Sequence, residues 1–289
     1  MTAFTAAEAA ACRRLVDLAL AEDLDGAGDR TSTALIPAGQ PGRAAFVART
    51  TGVVAGLPAA ALVCAAVDEE LAFTPTVADD SRVARGVVLA TVTGPLQSIL
   101  VAERTALNFL QRLSGVASLT RRYVDAVAGT RAVVLDTRKT TPGWRLLEKY
   151  AVRMGGGTNH RLGLYDGVLI KDNHLAGLGG DVRRAVELAR VSPCSGGVPV
   201  EVEVDTLEQL EHALAARADI VLLDNMPPDV MRTAVARRDA VSPGTKLEAS
   251  GGINLDTIAA VAATGVDRIS VGALTHSAPA LDIALDYQS

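Results

Sequence analysis

From about residue 116 onward the chain repeats one pattern. Apolar runs that end in polar or charged residues, AVVLDTRK, GVLIKDNH, VPVEVEVD, DIVLLDN, KLEASGG and RISVGAL, alternate with helix-like stretches. Those stretches are PGWRLLEKYAVRM, GDVRRAVELAR, LEQLEHALAA, PDVMRTAVARR and LDTIAAVAAT. Strand and helix in regular alternation require parallel strands joined by crossovers, so this part predicts βα repeats around a sheet closed, or nearly closed, into a barrel. Six strands are visible where a full barrel has about eight, which predicts an incomplete barrel or one strand that the pattern hides.

The first part of the chain follows a different grammar. MTAFTAAEAAACRRLVDLALAEDL reads as an amphipathic surface helix rather than a signal peptide, because its arginines sit inside the pattern and acids follow soon after. EDLDGAGDRTSTALIP reads as a loop. RAAFVART, TGVVAGL, ELAFTPTV and GVVLATVTG read as strands, with PAAALVCAAV as a short helix between them. Several connections are too short for parallel crossovers, so a largely antiparallel sheet is expected. PLQSILVAERTALNFLQRLSG carries Leu100, Leu107, Leu110 and Leu113 at helical spacing and is expected to stop at Gly115. Arg104 then falls on the apolar side of this helix and needs a partner. The boundaries that follow are an N-terminal domain over 1–115, a barrel domain over 116–274, and a helical tail over 275–289 packing back on the first domain.

With 289 residues, 49% of them hydrophobic, the chain can bury one large α/β core or two. No apolar run reaches the roughly 18 residues of a membrane span. A net charge of -5 and 3% aromatics argue against nucleic acid, which needs basic tracks and stacking rings. Cys12, Cys64 and Cys194 are odd in number and scattered, which argues against a disulfide framework and fits a reducing cytoplasm.

Within this acidic chain, Asp136–His174 concentrates Arg138, Lys139, Arg145, Lys149, Arg153, Arg161 and Lys171. A local basic segment in an acidic protein suits a small anion. Barrel chemistry gathers at the C-terminal ends of the strands. Here those ends carry Asp136, Arg138 and Lys139; Lys171 and Asn173; Glu201, Glu203 and Asp205; Asp224 and Asn225; Glu248 and Ser250; and Gly272. Ser250, Gly251 and Gly252, then Val271, Gly272 and Ala273, each lead towards a helix, a layout that suits phosphate. Glu203 and Asp224 end consecutive strands and could share Mg²⁺ or ribose hydroxyls. Glu201, Glu203 and Asp205 share strand parity, so the pattern alone does not choose among them. His160 and Arg161 follow a Gly-rich turn, and Arg138 and Arg161 can each grip a carboxylate with two N–H groups. Lys171 also admits a Schiff base, while His174, His212 and His276 read as structural or surface residues.

ERTALNFLQRLSGVAS, the whole of Asp136–His174, EVEVDTLEQL, VLLDNM, LEASGGI and GVDRISVGALTHS together resemble the successive signatures of the quinolinate phosphoribosyltransferases, across nearly the whole chain. The resemblance implies an N-terminal open α/β sandwich and a C-terminal incomplete α/β barrel of the type II phosphoribosyltransferase kind. It implies conversion of quinolinate and phosphoribosyl pyrophosphate to nicotinate mononucleotide, CO₂ and pyrophosphate in de novo NAD synthesis. It further implies a homodimer with an active site shared between subunits, leaving open a trimer of dimers.

Matched residue by residue, the resemblance puts Arg104 of a second subunit with Thr137, Arg138, Lys139, His160, Arg161 and Lys171 around the quinolinate carboxylates and the pyrophosphate. Glu203 and Asp224 take the ribose hydroxyls and Mg²⁺; Ser250, Gly251, Gly252, Val271, Gly272 and Ala273 take the 5′-phosphate. Lys139, Lys171, Glu203 and Asp224 are the expected catalytic groups. Trp144 departs from the smaller apolar residue frequent in the family. The competing readings are a nicotinate-type phosphoribosyltransferase without decarboxylation, an aldolase using Lys171, and a non-catalytic phosphoribosyl-ligand sensor.

Overall fold

The computed structural model describes residues 4–288, so the reading of a helix from Met1 extends over Met1–Ala3, which lie outside the described residues. Its strands are β1 (Pro41–Ala48), β2 (Gly52–Val53), β3 (Ala72–Pro75), β4 (Arg82–Val83), β5 (Val88–Pro95), β6 (Val133–Leu135), β7 (Val168–Ile170), β8 (Val200–Val204), β9 (Ile220–Asp224), β10 (Lys246–Ser250), β11 (Arg268–Ser270) and β12 (Ile283–Tyr287). The chain divides into two compact units. One comprises Met1–Arg121, Thr140–Gly156 and Leu274–Ser289, the other Arg122–Lys139 and Gly157–Ala273. Among the described residues no helix is long and apolar enough to cross a membrane.

The first unit is built on an antiparallel sheet in the order β12-β1-β5-β3. The expected loop before it is partly helical. Arg30–Leu35 forms a helix because Asp29 Oδ1 accepts from the backbone N–H groups of Thr31 at 2.9 Å and Ser32 at 3.0 Å, supplying an N-cap. The tail, expected as a helix, is a strand from Ile283 to Tyr287. Gln111 explains this: its carbonyl accepts from Leu281 N at 3.0 Å and its Nε2 donates to Ile283 O at 2.6 Å, holding the segment extended until it pairs with β1.

The helix expected to stop at Gly115 runs without interruption over Leu96–Ala126. Gly115 marks a close approach instead. A Cβ built there would lie 2.1 Å from the Pro279 carbonyl oxygen, so only glycine lets the tail pass. Thr140–Gly156, placed with the barrel on sequence, packs within the first unit. Its helix Arg145–Met154 offers Glu148 to Arg112 and Thr141, Arg153 to Glu8 at 2.6 Å, and Tyr150 to Phe4. Lys149, one of the cations concentrated in Asp136–His174, is fully buried. Trp144 stacks on Phe109 with ring centroids 4.8 Å apart, so the larger side chain is absorbed by an aromatic neighbour.

The second unit is a six-stranded parallel sheet in the order β6-β11-β10-β9-β8-β7. Neighbours follow chain order except that the first strand lies beside the last. This is the order of a barrel interrupted between its first and second strands, and Thr158 bridges Leu135 beside that interruption. Val200, Val202 and Val204 of β8 are buried, which leaves Glu201 and Glu203 on the opposite face. The architecture is thus an antiparallel α/β unit with an open barrel-like one.

Candidate active site

Strand β6 ends at Leu135, and the next side chain organises the site. Asp136 is fully buried and accepts from His160 N at 2.8 Å and Asn159 Nδ2 at 2.7 Å, which ties the glycine turn after Met154 to the end of β6. His160 is thereby aimed inward. Its Nε2 lies 3.1 Å from Glu201 Oε2 and 3.4 Å from Glu248 Oε1, and its Nδ1 accepts from Arg161 N at 2.8 Å. Glu248, in the middle of β10, is also paired with Arg268 Nε of β11 at 2.7 Å.

Burial alone would lower the His160 pKa, but its contacts with the two carboxylates outweigh that and raise it to about 9. The Arg161 N–H works against this rise, since an imidazolium has no lone pair on Nδ1 to offer it. Nε2 carries a proton in either state. Burial pushes Glu201 up against the pull of His160, while Glu248, which burial also opposes, is held below the ordinary carboxylate range by His160 and Arg268. These three side chains have the donor set of a metal centre. The proton on Nε2 occupies the lone pair that would ligate, and Arg268 already balances Glu248, so the cluster is closed by a proton and a guanidinium.

Around this buried cluster lie the cations. Arg138 and Arg161 are half-buried, and burial followed by repulsion from Arg138 lowers the Arg161 pKa. The Nε groups of both guanidiniums are buried without a hydrogen-bond partner among the described residues, while Arg161 Nη1 donates to Gly167 O at 3.0 Å. Two close like charges with unsatisfied donors suit a carboxylate-bearing ligand. Lys139 is exposed, its N–H held by Thr137 Oγ1 at 3.0 Å. Lys171 Nζ pairs with Glu203 Oε2 at 2.8 Å. Its backbone N–H is fixed by His174 Nδ1 at 2.9 Å, so His174 has a structural part in shaping the strand end.

The three acids of β8 and its end separate by depth. Glu201 is buried on His160, Glu203 meets Lys171, and Asp205 is exposed. Asp224 ends β9 and accepts from Asn225 Nδ2 at 2.7 Å. Ser250 ends β10, followed by Gly251 and Gly252 at φ +94° and +61°, a turn that L-residues with side chains resist. Val271 is buried and its N–H is donated to Leu135 O at 2.9 Å, so it offers a phosphate neither group; Gly272 and Ala273 are half-buried beyond it. Arg104 lies in the first unit. It is exposed rather than on the apolar side, in line with Leu100 and Asn108 one helical turn away on either side, and forms no hydrogen bond or ion pair among the described residues.

Sequence reasoning placed Asp136, Glu201, Asn225 and Glu248 at strand ends without settling a role for them, and passed over Asn159 and Arg268. Strand parity was the available signal, since Glu248 shares the inward face of Ser250 as Glu201 shares that of Glu203.

Comparison with known proteins agrees over almost the entire chain. Residues 29–114 match the family described as quinolinate phosphoribosyl transferase, N-terminal domain, and residues 116–286 the corresponding C-terminal domain. The chain is 47% identical over 283 residues to the carboxylating nicotinate-nucleotide pyrophosphorylase of Mycobacterium leprae, covering 96% of this chain and 97% of that protein. It is 43% identical to the probable enzyme of the same name from Bacillus subtilis, covering 95% and 92%. Its structure is similar to that of the nicotinate-nucleotide pyrophosphorylase from Francisella tularensis, with a TM-score of 0.91 at 40% identity and 97% of each chain covered.

Proposed function

The chain belongs to the quinolinate phosphoribosyltransferase family, and from that premise we propose how its residues divide the reaction of quinolinate with phosphoribosyl pyrophosphate to nicotinate mononucleotide, CO₂ and pyrophosphate. The observation that carries the assignment is the Arg138–Arg161 pair, whose buried Nε donors lack acceptors among the described residues. A ring bearing two adjacent carboxylates satisfies both guanidiniums and offsets their repulsion. Thr137 and Lys139 flank this pair. His160 stands one layer below, both ring nitrogens engaged, and supports Arg161.

Glu203 and Asp224 face the ribose. Two carboxylates at neighbouring strand ends fit Mg²⁺, which takes one or two protein oxygens and completes its shell from substrate phosphates. Bound there, the ion would supply charge stabilisation to the departing pyrophosphate. Gly251 and Gly252 bring backbone N–H groups to the 5′-phosphate. As the C1–O bond to pyrophosphate breaks, the two carboxylates stabilise the positive charge on the ribose, and Lys139 and Lys171 stabilise the leaving group. The quinolinate nitrogen forms the new bond to C1. The carboxylate at C2 then leaves as CO₂, its electron pair held beside the pyridinium nitrogen until a proton arrives at C2.

Lys171 is exposed and ion-paired, unlike the desolvated lysine that Schiff-base chemistry needs. Arg104, exposed and without a hydrogen-bond or ion-pair partner among the described residues, completes the site of a second copy in a homodimer. The scattered thiols suit a cytoplasmic setting. Release of CO₂ and pyrophosphate from quinolinate, phosphoribosyl pyrophosphate and Mg²⁺, suppressed by chelator, is the expected result. Turnover of nicotinate in place of quinolinate would overturn the dicarboxylate assignment. Mixing Arg104→Ala and Lys171→Ala subunits should restore activity in heterodimers, because one of the two sites then keeps both residues; heterodimers without activity would contradict a shared site.

A further inference from the structure

Asn225 sits between two parts of the site that the reaction must hold together. It follows Asp224 at the end of β9 with φ +52°, a left-handed conformation that Asn tolerates better than most residues. The main chain fixes it there, since its N–H donates to Ser250 O at 2.9 Å across the β9–β10 pair. Its side chain then has two neighbours. Nδ2 donates to Asp224 Oδ2 at 2.7 Å, and Oδ1 lies 2.1 Å from where a Cβ on Gly251 would stand. The amide can meet Asp224 only through its nitrogen, because an oxygen there would oppose a carboxylate.

We propose that Asn225 is a positioning residue that couples Asp224 to the Gly251 turn, so that the ribose and the 5′-phosphate of phosphoribosyl pyrophosphate are gripped as one unit. This rests on the assignment of Asp224 to the ribose and of Gly251 to the phosphate. The side chain fixes the Asp224 carboxylate on one side, and the space it fills is the closest obstacle to a Cβ at position 251, ahead of the Asn225 backbone N at 2.9 Å and the φ of +94°, both of which stay the same when only the Asn225 side chain is removed. A side chain at 251 would push the amide off Asp224 and so disturb the ribose end from the phosphate end.

Steady-state kinetics on Asn225→Gly, Gly251→Ala and the double variant test the coupling. Asn225→Gly keeps the left-handed backbone and removes only the side chain, so KM for phosphoribosyl pyrophosphate should rise roughly tenfold, as for one lost hydrogen bond to a charged group, with little change in KM for quinolinate. Gly251→Ala should weaken phosphoribosyl pyrophosphate clearly less in the Asn225→Gly background, where the amide is no longer in its way, than in the wild type. Equal cost in the two backgrounds, so that the losses multiply, overturns the coupling. Asn225→Asp keeps size and backbone tolerance but sets an oxygen against Asp224. It should raise KM for phosphoribosyl pyrophosphate while thermal stability stays near wild type, and an unchanged KM also overturns the proposal. If the wild type itself releases no pyrophosphate, the functional assignment fails and the coupling with it; a working wild type with multiplying losses sinks the coupling alone.

Discussion

His160 Nε2 stands 3.1 Å from Glu201 Oε2, both groups buried beneath the strand ends that carry the exposed chemistry. His160, which the resemblance sets around the substrates, is itself held from several sides. Asp136 holds its backbone, Glu201 and Glu248 hold its far nitrogen, and its near nitrogen lies 2.8 Å from Arg161 N, able to accept that N–H only in the neutral ring. Arg161 is therefore placed by a chain of buried polar contacts rather than by packing alone, which is how a long side chain can be held for two-point recognition of a carboxylate.

Proton linkage at His160 makes stability depend on pH. Its folded pKa of about 9 lies above the ordinary 6.5. Folding therefore favours the protonated ring, and this contribution to stability is complete below about pH 6.5 and disappears as pH rises through about 9. His160→Gln, which cannot titrate, should fall furthest below wild type in urea midpoint at the acidic end, with the gap narrowing towards pH 10. A gap that does not change with pH would contradict the raised pKa.

Arg161→Ala should lower kcat/KM for quinolinate by roughly a hundredfold or more, since a charged two-point contact is lost inside a half-buried site. Arg161→Lys should recover little of this, because an ammonium offers one direction where the guanidinium offers a fork. KM for phosphoribosyl pyrophosphate is the control and should change much less. Near wild-type kinetics with quinolinate in Arg161→Ala would remove Arg161 from the carboxylate site.

Much of this was legible in the chain because periodicity reports which face of an element is buried. The alternation of apolar runs and helices found the six parallel strands, and the strand ends it marks carry Arg138, Lys171, Glu203 and Asp224. What stayed hidden depends on contacts between residues distant in sequence. The role of Glu201 became visible only once the turn bearing His160 was folded over it, and that of Glu248 only once Arg268 lay beside it on β11. The tail misled for a related reason: five residues, Ile283 to Tyr287, fit a helix or a strand equally well, and β1 with Gln111 decides between them.

Tyr150 carries a stability prediction in the first unit. Its hydroxyl donates at 2.5 Å to Asp79, which also accepts from the N–H groups of Gly56 and Leu57. Burial raises the Asp79 pKa and these donors oppose the rise. Tyr150→Phe should cost about 1–3 kcal/mol at neutral pH, the range for leaving a buried acceptor short of a donor. Because a carboxyl with raised pKa is least unfavourable when protonated, the deficit should shrink as pH falls towards the ordinary Asp range near 3.8. Urea unfolding of both proteins from pH 7 downwards measures it, and a deficit that widens in acid would refute the argument.

Gly115→Ala sets local propensity against packing. In the interior of a helix this exchange ordinarily stabilises by about 1 kcal/mol, because alanine loses less backbone freedom on folding. Here the added Cβ would lie 2.1 Å from the Pro279 carbonyl oxygen and 3.0 Å from Ala280 Cα, both main-chain atoms that cannot rotate away. The tail would have to lift from the helix, loosening the Leu281 N–H bond to Gln111 and the β12 pairing that follows it. The expected result is a net loss of several kcal/mol, read as a lower melting temperature with faster hydrogen exchange in Ile283–Tyr287. A variant as stable as wild type or more so would show that the close approach at Gly115 does not constrain the tail.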